Sequence, residues 1–111
     1  MKLPRDAVIA RDKLTRYLLC PQARGDKSGF LARAGYTPDN ADKLLEDLRA
    51  QILVMEAVVL KSNKFGRYYE TRGTLTGPNG AKLAVRAIWM TEHLSGVTKF
   101  VTLVPDKRSS R

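Results

Sequence analysis

The chain has 111 residues, enough for one domain with a single hydrophobic core and too few for two. Twenty Lys and Arg against eleven Asp and Glu give a formal net charge of +9, an excess that attracts polyanions, most commonly RNA or DNA. The single cysteine, Cys20, excludes an intramolecular disulfide. Because the chain has only one histidine as well, His93, these residues cannot form a zinc-ligand cluster, and we expect no metal and no cofactor.

The first half of the chain is predicted to be helical. In RDKLTRYLLCP, residues 11–21, apolar side chains recur at three-to-four spacing, and Tyr17 is expected to pack between helices. A second short helix, KSGFLARAG, stops at Gly35, which suits a left-handed terminator. The third, TPDNADKLLEDLRAQIL, opens with Thr37 as N-cap and Pro38 at the first helical position, where its missing N–H costs nothing.

The second half is predicted to be β, with strands at about 56–61, 66–76, 81–91 and 97–104. Helices followed by a run of antiparallel strands indicate an α+β domain. We expect the N-terminal helices to pack on one face of a C-terminal antiparallel sheet of about four strands.

We expect no secretory signal in the N-terminal stretch and no membrane-spanning segment. The N-terminal stretch MKLPRDAVIARDKL has a charge every few residues, and no later stretch is apolar enough to span a bilayer. We therefore expect a cytoplasmic protein with no membrane partner. A single domain is predicted over residues 1–105, followed by a basic disordered tail at 106–111.

The turn GPNG fixes the register of the two central strands. It fits a three-residue hairpin loop over residues 78–80, with Gly80 in the left-handed conformation and residues 77 and 81 as the closing pair. Counting outward puts Tyr69 opposite Trp89 on an apolar face suited to the helices, with Trp89 in the core. Because side chains alternate, Arg72 then lies opposite Arg86 on the other face.

The loop TEHLSG sets the register of the last strand. Pairing Ala87 with Val101, and residue 85 with residue 103, keeps one face apolar. This register puts Thr102 beside Arg86 and Phe100 beside Ile88. The second face then gathers polar and aromatic residues from three strands: Tyr68, Glu70, Arg72, Arg86, Phe100 and Thr102.

Two arginines directly opposite each other repel unless a carboxylate or another anion lies between them. Glu70 is close enough to serve in the free protein, and a phosphate would serve in a complex. Arg72 and Arg86 are therefore predicted to line an anion-binding face. In the alternative reading they are ordinary solvent-facing positions whose stems cover Ile88 and Met90, and a slip of one residue in the register would dissolve the group.

This group suits metal-independent cleavage of RNA, in which a base takes the 2′-OH proton and cations stabilise the extra charge at phosphorus. Glu70 is the candidate base, Arg72 and Arg86 are the charge stabilisers, and Lys27 or Thr102 assists at the phosphate. Three further residues are predicted to bind RNA, two of them by stacking on bases: Tyr68, Phe100 and Arg67. The general acid is left unassigned, because His93 falls in a loop at the end of the sheet, where a lone histidine is more often simply exposed.

Several segments resemble a bacterial domain family of unknown function, number 6883. They are KLTRYLLCP, KSGFLARAGYTPDNADKLLEDL, GPNG, Trp89 and VTLVP, which together cover most of residues 13–105. Similar segments occur in C-terminal toxin modules of contact-dependent inhibition and other polymorphic toxins. The resemblance implies a compact nuclease of the group of barnase, colicin D and RelE, in which helices pack on a four-stranded sheet whose opposite face cuts RNA. It also implies a small, often acidic antitoxin or immunity protein as partner, and Lys27 is its one polar match that we carry over as a site residue.

The leading hypothesis is a metal-independent endoribonuclease toxin that cleaves tRNA or another structured RNA, in a toxin–antitoxin or polymorphic-toxin system. An alternative is a non-catalytic basic module that binds RNA, DNA or an acidic partner protein through the same sheet face. A third possibility is a structural or phage-associated domain whose charge is incidental.

Overall fold

The computed structural model describes residues 1–22 and 26–106, so most of the predicted basic tail lies outside the described residues. Helix α1 (Arg11–Lys13) continues as a π-helical turn, Leu14–Leu18, and α2 spans Ser28–Ala32. A 3-10 turn, Pro38–Asn40, leads into α3 (Ala41–Asp47) and a π-helical segment, Leu48–Ile52. No helix in these described ranges is long and apolar enough to cross a membrane.

The helix boundaries follow the local chemistry of the sequence. Gly35 adopts a φ of +93° after α2, a left-handed conformation open to glycine without steric cost. Thr37 caps the next segment: its hydroxyl accepts from the Asp39 amide, and its own amide donates to the Asn40 side chain at 2.8 Å. The predicted stop at Gly35 and start at Thr37–Pro38 are both confirmed.

Four strands follow the helices and form one antiparallel sheet in the order β1-β2-β3-β4. They are β1 (Ala57–Ser62), β2 (Gly66–Thr76), β3 (Lys82–Glu92) and β4 (Thr98–Pro105). The predicted α+β class, with helices preceding a four-stranded antiparallel sheet, is confirmed.

The β2–β3 hairpin has the predicted register. The Gly77 amide donates to the Ala81 carbonyl at 3.0 Å, and Gly80 has a φ of +86°, as a three-residue loop requires. Arg72 pairs with Arg86, and the regular pairing runs from one end of the hairpin to the other.

The predicted β3–β4 register is wrong by two residues, and it contains an irregularity that the sequence did not indicate. Ala87 pairs with Leu103 rather than Val101, and the register shifts between Ile88 and Trp89. Thr102 keeps its predicted face because a shift of two residues preserves side-chain parity, but it pairs with Ile88 and not with Arg86. Beyond the bulge the alternation of side chains is reversed relative to the prediction. The next paired residue of β4, Phe100, therefore lies on the helix side of the sheet and not on the face predicted for it.

The core lies between the helices and the sheet. Trp89 is fully buried, as predicted, and its indole nitrogen donates to the Thr71 hydroxyl at 2.9 Å. Tyr36 is also buried, and its hydroxyl donates to the Asp47 carboxylate at 2.6 Å. Burial, together with this bond to Asp47, raises the pKa of Tyr36 well above its usual value.

The N-terminal segment covers the outer edge of β4. The Val8 amide donates to the Thr98 carbonyl and the Phe100 amide donates to the Val8 carbonyl, both at 2.8 Å, in a parallel bridge. This contact anchors the start of the chain to the sheet, so that α1 begins next to β4.

Candidate functional site

The sheet face turned away from the helices, the open face, carries in its middle three rows of side chains that cross the strands. Alternation along each strand and the observed pairing define them. The first row is Arg72, Arg86 and Val104; the second is Val58, Glu70, Ile88 and Thr102; the third is Lys61, Tyr68, Met90 and Lys99.

Glu70 lies between the two arginines, as predicted, and the three residues form what we call the arginine cluster. Arg72 Nε donates to Glu70 Oε1 at 2.8 Å, and Arg86 Nη1 donates to Oε2 at 2.9 Å. The Glu70 side chain is only 7% exposed. Two cations against one carboxylate leave the arginine cluster with a net positive charge at a site where the carboxylate itself is shielded from water.

The guanidinium groups retain donors for a further anion. The Arg72 and Arg86 side chains are 31% and 37% exposed, and each uses one N–H on Glu70. Arg72 Nη1 is buried and has no hydrogen-bond partner among the described residues. Since a guanidinium has five N–H donors in a planar fork, each arginine keeps donors beyond the one used on Glu70, and those that reach solvent can bind phosphate oxygens.

A cleft of about 580 Å³ opens beside Arg72 and Glu70 at the β1 side of the open face. Its other walls are Lys2, Met55, Glu56 and Val58. The lining therefore combines apolar surface with charged groups of both signs, and Glu70 and Arg72 of the arginine cluster form one wall of it.

On the opposite side of Glu70, Lys27 reaches the open face from the start of α2. Its ammonium donates to Thr102 Oγ1 at 3.3 Å and lies 5.3 Å from the centre of the Tyr17 ring. Tyr17 is 41% exposed, so the prediction that it packs between helices is wrong. Thr102 is two strands from Glu70 in the same row, roughly 10 Å at ordinary strand spacing, which leaves room between Lys27 and the arginine cluster for one phosphodiester.

Asp26 fixes the backbone that carries Lys27. One carboxylate oxygen accepts from both the Ser28 amide at 2.9 Å and the Ser28 hydroxyl at 2.7 Å. These hydrogen bonds, the side-chain one first, lower the pKa of Asp26. The carboxylate therefore holds the first turn of α2 in the orientation that directs Lys27 over β4.

Two predicted RNA-binding residues lie away from the open face. Phe100 is 2% exposed and packs edge-on against Trp89, with ring centroids 5.3 Å apart, so its predicted role in base stacking is wrong. The cause is the bulge in β4, which reverses side-chain parity at this point. Arg67 is exposed, but it alternates with Tyr68 and has its side chain on the helix side of β2. Tyr68 does lie on the open face, next to the arginine cluster.

His93 also lies away from the arginine cluster. Its ring nitrogen Nε2 is 2.8 Å from the Asn63 carbonyl in the neighbouring loop, and the residue is exposed beyond the end of β3. Its ring contact joins the two loops at one end of the sheet.

Sequence reasoning selected Tyr68 but missed three aromatic and basic residues near it at that same end of the sheet, Lys61, Lys64 and Phe65. Lys61 lies over the Tyr68 ring at 5.0 Å, and Lys64 lies over the Phe65 ring at 5.2 Å. The available signal was the stretch KSNKFG, in which an aromatic residue stands among lysines in a turn. In the described ranges, no three His, Cys, Asp or Glu side chains are grouped so as to hold a metal ion.

Comparison with known proteins gives a family and nothing more specific. Neither the curated proteins nor the solved structures contain a match to the chain. The model of the domain of unknown function DUF6883 matches residues 2–107, nearly the whole chain. The chain therefore belongs to the DUF6883 family.

Proposed function

We propose that this domain is a metal-independent endoribonuclease and that the arginine cluster on the open face is its catalytic centre. The observation that carries the proposal is a buried carboxylate held between two arginines that keep free donors, on an uncovered sheet face of a chain with a net charge of +9. A carboxylate and two guanidinium groups at one point are the base and the charge stabilisers that RNA transesterification requires.

The reaction begins with an exchange of hydrogen-bond partners. The scissile phosphate draws the N–H groups of Arg72 and Arg86 onto its non-bridging oxygens, because charge-assisted bonds to phosphate are at least as strong as those to a carboxylate. Glu70 then has free lone pairs and accepts the proton of the neighbouring 2′-OH. The 2′-oxygen attacks phosphorus, and the two guanidinium groups stabilise the additional negative charge in the transition state.

Lys27 completes the reaction from the other side of Ile88. As the bond between phosphorus and the 5′-oxygen breaks, the Lys27 ammonium donates a proton to the leaving oxygen, and the products are a 2′,3′-cyclic phosphate and a 5′-hydroxyl. Thr102, which accepts from Lys27 Nζ at 3.3 Å, holds the ammonium in position. Glu70 ends protonated and Lys27 neutral, and both exchange protons with water before the next turnover.

We assign this activity to a toxin of a toxin–antitoxin or polymorphic-toxin system that acts on tRNA or another structured RNA in the cytoplasm. The resemblance of the segments around Lys27, Gly80 and Trp89 to toxin modules supports this setting. A small acidic antitoxin or immunity protein is the matching partner, because it would neutralise the basic open face. Expression of the domain without such a partner is then expected to stop bacterial growth, and Glu70→Gln is expected to restore it.

One observation favours a second candidate function, a binding module without catalysis. Both Glu70 oxygens accept from arginines, so the candidate base is occupied in the free protein. A module of this kind would bind RNA phosphates at the arginine cluster and leave the chain intact.

The test is incubation of the purified protein with total tRNA and ribosomal RNA in excess chelator. Wild type is compared with Glu70→Gln, Arg86→Ala and the control Lys13→Ala, which removes one positive charge from an exposed position of helix α1. Discrete fragments from wild type and the control, but not from the two cluster variants, are the expected result. RNA that remains intact while it co-migrates with the protein would refute the nuclease and favour the binding module.

A further inference from the structure

The end of the open face beyond Tyr68 carries a second group of aromatic and basic side chains. Phe65, in the turn between β1 and β2, is 66% exposed. Lys61 and Lys64 lie over the Tyr68 and Phe65 rings at 5.0 and 5.2 Å. An exposed aromatic side chain beside lysines is the composition of surfaces on which nucleic-acid bases stack.

The turn that presents Phe65 is braced rather than loose. The Asn63 side-chain oxygen accepts from the Phe65 and Gly66 amides at 2.9 and 3.2 Å. The Phe65 carbonyl accepts from the His93 amide at 3.0 Å, and Asn63 contacts the His93 ring. The backbone that carries the ring is therefore held in place before any ligand arrives, which lowers the entropy lost on binding.

Phe65 borders a depression of about 200 Å³ whose other lining residues are Lys64, Met90, Glu92 and Leu94. The acidic member of this lining is already paired: Glu92 accepts from Lys99 at 2.9 Å and from Ser95 at 2.7 Å. These two bonds, that from Lys99 first, lower the pKa of Glu92 and keep it ionised in the pair. What remains for a ligand is apolar surface, the Phe65 ring and the Lys64 ammonium, which contacts that ring and has no ion pair within residues 1–22 and 26–106.

The aromatic and basic group around Phe65 and Tyr68 lies along one line of the open face with the arginine cluster. Glu70, Tyr68 and Gly66 follow one another at every second position of β2, so Gly66 is about 14 Å from Glu70. Phe65 precedes Gly66 in the chain and lies one residue farther from Glu70. An RNA chain whose phosphate is bound at the arginine cluster must continue past Tyr68 to reach Phe65.

We propose that Phe65 and Tyr68, with Lys61 and Lys64, form a stacking subsite for unpaired bases of single-stranded RNA that flank the phosphate bound at the arginine cluster. The position of the phosphate rests on the proposed function, but the subsite itself requires only that RNA binds. On binding, the two lysines leave the rings for the backbone phosphates, and bases take their place over the aromatic faces. The substrate is single-stranded because the bases of a duplex are paired and stacked on one another and have no free face.

The test is fluorescence anisotropy with 2′-deoxy-substituted RNA oligonucleotides, which cannot undergo cleavage through the 2′-oxygen. Wild type, Phe65→Ala and Phe65→Leu are titrated with a dinucleotide, a single-stranded hexanucleotide and a duplex of the same sequence. Phe65→Leu keeps an apolar side chain but removes the aromatic face, and thermal unfolding of each variant checks its fold.

Both substitutions are expected to weaken hexanucleotide binding by about 5- to 100-fold, the usual range for one lost stacking partner, and to leave dinucleotide and duplex binding unchanged. Wild-type affinity in Phe65→Leu would mean that the residue is an apolar contact, such as a protein-docking residue, and would overturn the proposal. Equal losses for both lengths, or no binding of the hexanucleotide by wild type, would also overturn it. Phe65-dependent binding without cleavage of natural RNA would instead refute the nuclease and leave the stacking subsite intact.

Discussion

Replacement of Glu70 by glutamine should destabilise the fold while it keeps the shape of the side chain. In the variant, no negative charge lies between Arg72 and Arg86. The glutamine NH₂ group also adds a third hydrogen-bond donor group to a site where donors already exceed acceptors. Breaking a buried ion pair typically costs about 3–5 kcal/mol. The two arginines here are 31% and 37% exposed, so solvent screens part of their repulsion. We expect a loss of about 2 kcal/mol, or about 8 °C in Tm for a chain of this size.

Urea and thermal unfolding of wild type and Glu70→Gln measure this loss, with Glu92→Gln as the matched control. Glu92 also accepts from a cation, Lys99, but both side chains are more exposed than Glu70, and the expected cost is below about 1 kcal/mol. Inorganic phosphate should stabilise Glu70→Gln more than wild type, because an anion then replaces the missing carboxylate. A loss no greater than that of Glu92→Gln, with no additional response to phosphate, would refute the view that Glu70 offsets the repulsion between the two arginines.

Two further predictions concern the core and the hairpin. Tyr36→Phe removes the hydroxyl that donates to buried Asp47 and should cost about 1–3 kcal/mol in urea unfolding. Because folding raises the pKa of Tyr36, the folded chain keeps a proton that the unfolded chain loses above about pH 10. The free energy of unfolding of wild type should therefore fall above that pH, by up to about 1.4 kcal/mol per pH unit more than that of the variant. Equal pH dependence of the free energy of unfolding in the two proteins would contradict this. In Gly77→Ala the new Cβ would lie 2.1 Å from the Ala34 carbonyl oxygen, and we expect a loss of at least about 1–3 kcal/mol. Gly80→Ala, which meets no atom within 4 Å and carries only backbone strain, is the comparison by the same unfolding assay, and a wild-type midpoint for Gly77→Ala would contradict the close contact.

The sequence was sufficient for the central hairpin and therefore for the arginine cluster. The GPNG turn admits one closing pair, and the strict alternation of side chains then places Glu70, Arg72 and Arg86 on one face without knowledge of the rest of the fold. The helix boundaries at Gly35 and Thr37 were predictable for the same reason, since each depends on the chemistry of a few neighbouring residues.

The last strand and its surroundings depended on contacts that no local pattern records. The loop between β3 and β4 carries no turn signal as strong as GPNG, so the register was ambiguous by two residues, and the bulge that turns Phe100 into the core depends on the packing of its ring against Trp89. Lys27 and Thr102 are 75 residues apart in sequence, and their contact exists only because the fold brings the start of α2 beside β4. Phe65 was overlooked because an aromatic residue in a polar turn has no periodic pattern around it.

The most direct test of the central claim is the chemistry of the RNA ends. A labelled RNA oligonucleotide and its counterpart with one 2′-deoxy nucleotide at the cleavage position are each incubated with the protein in excess chelator, and the products are identified by mass spectrometry. The account predicts a 2′,3′-cyclic phosphate and a 5′-hydroxyl from the all-RNA substrate, and no cleavage at the 2′-deoxy position, because Glu70 takes its proton from the 2′-OH. A 3′-hydroxyl with a 5′-phosphate, cleavage of the 2′-deoxy bond, or intact RNA in both reactions would contradict it.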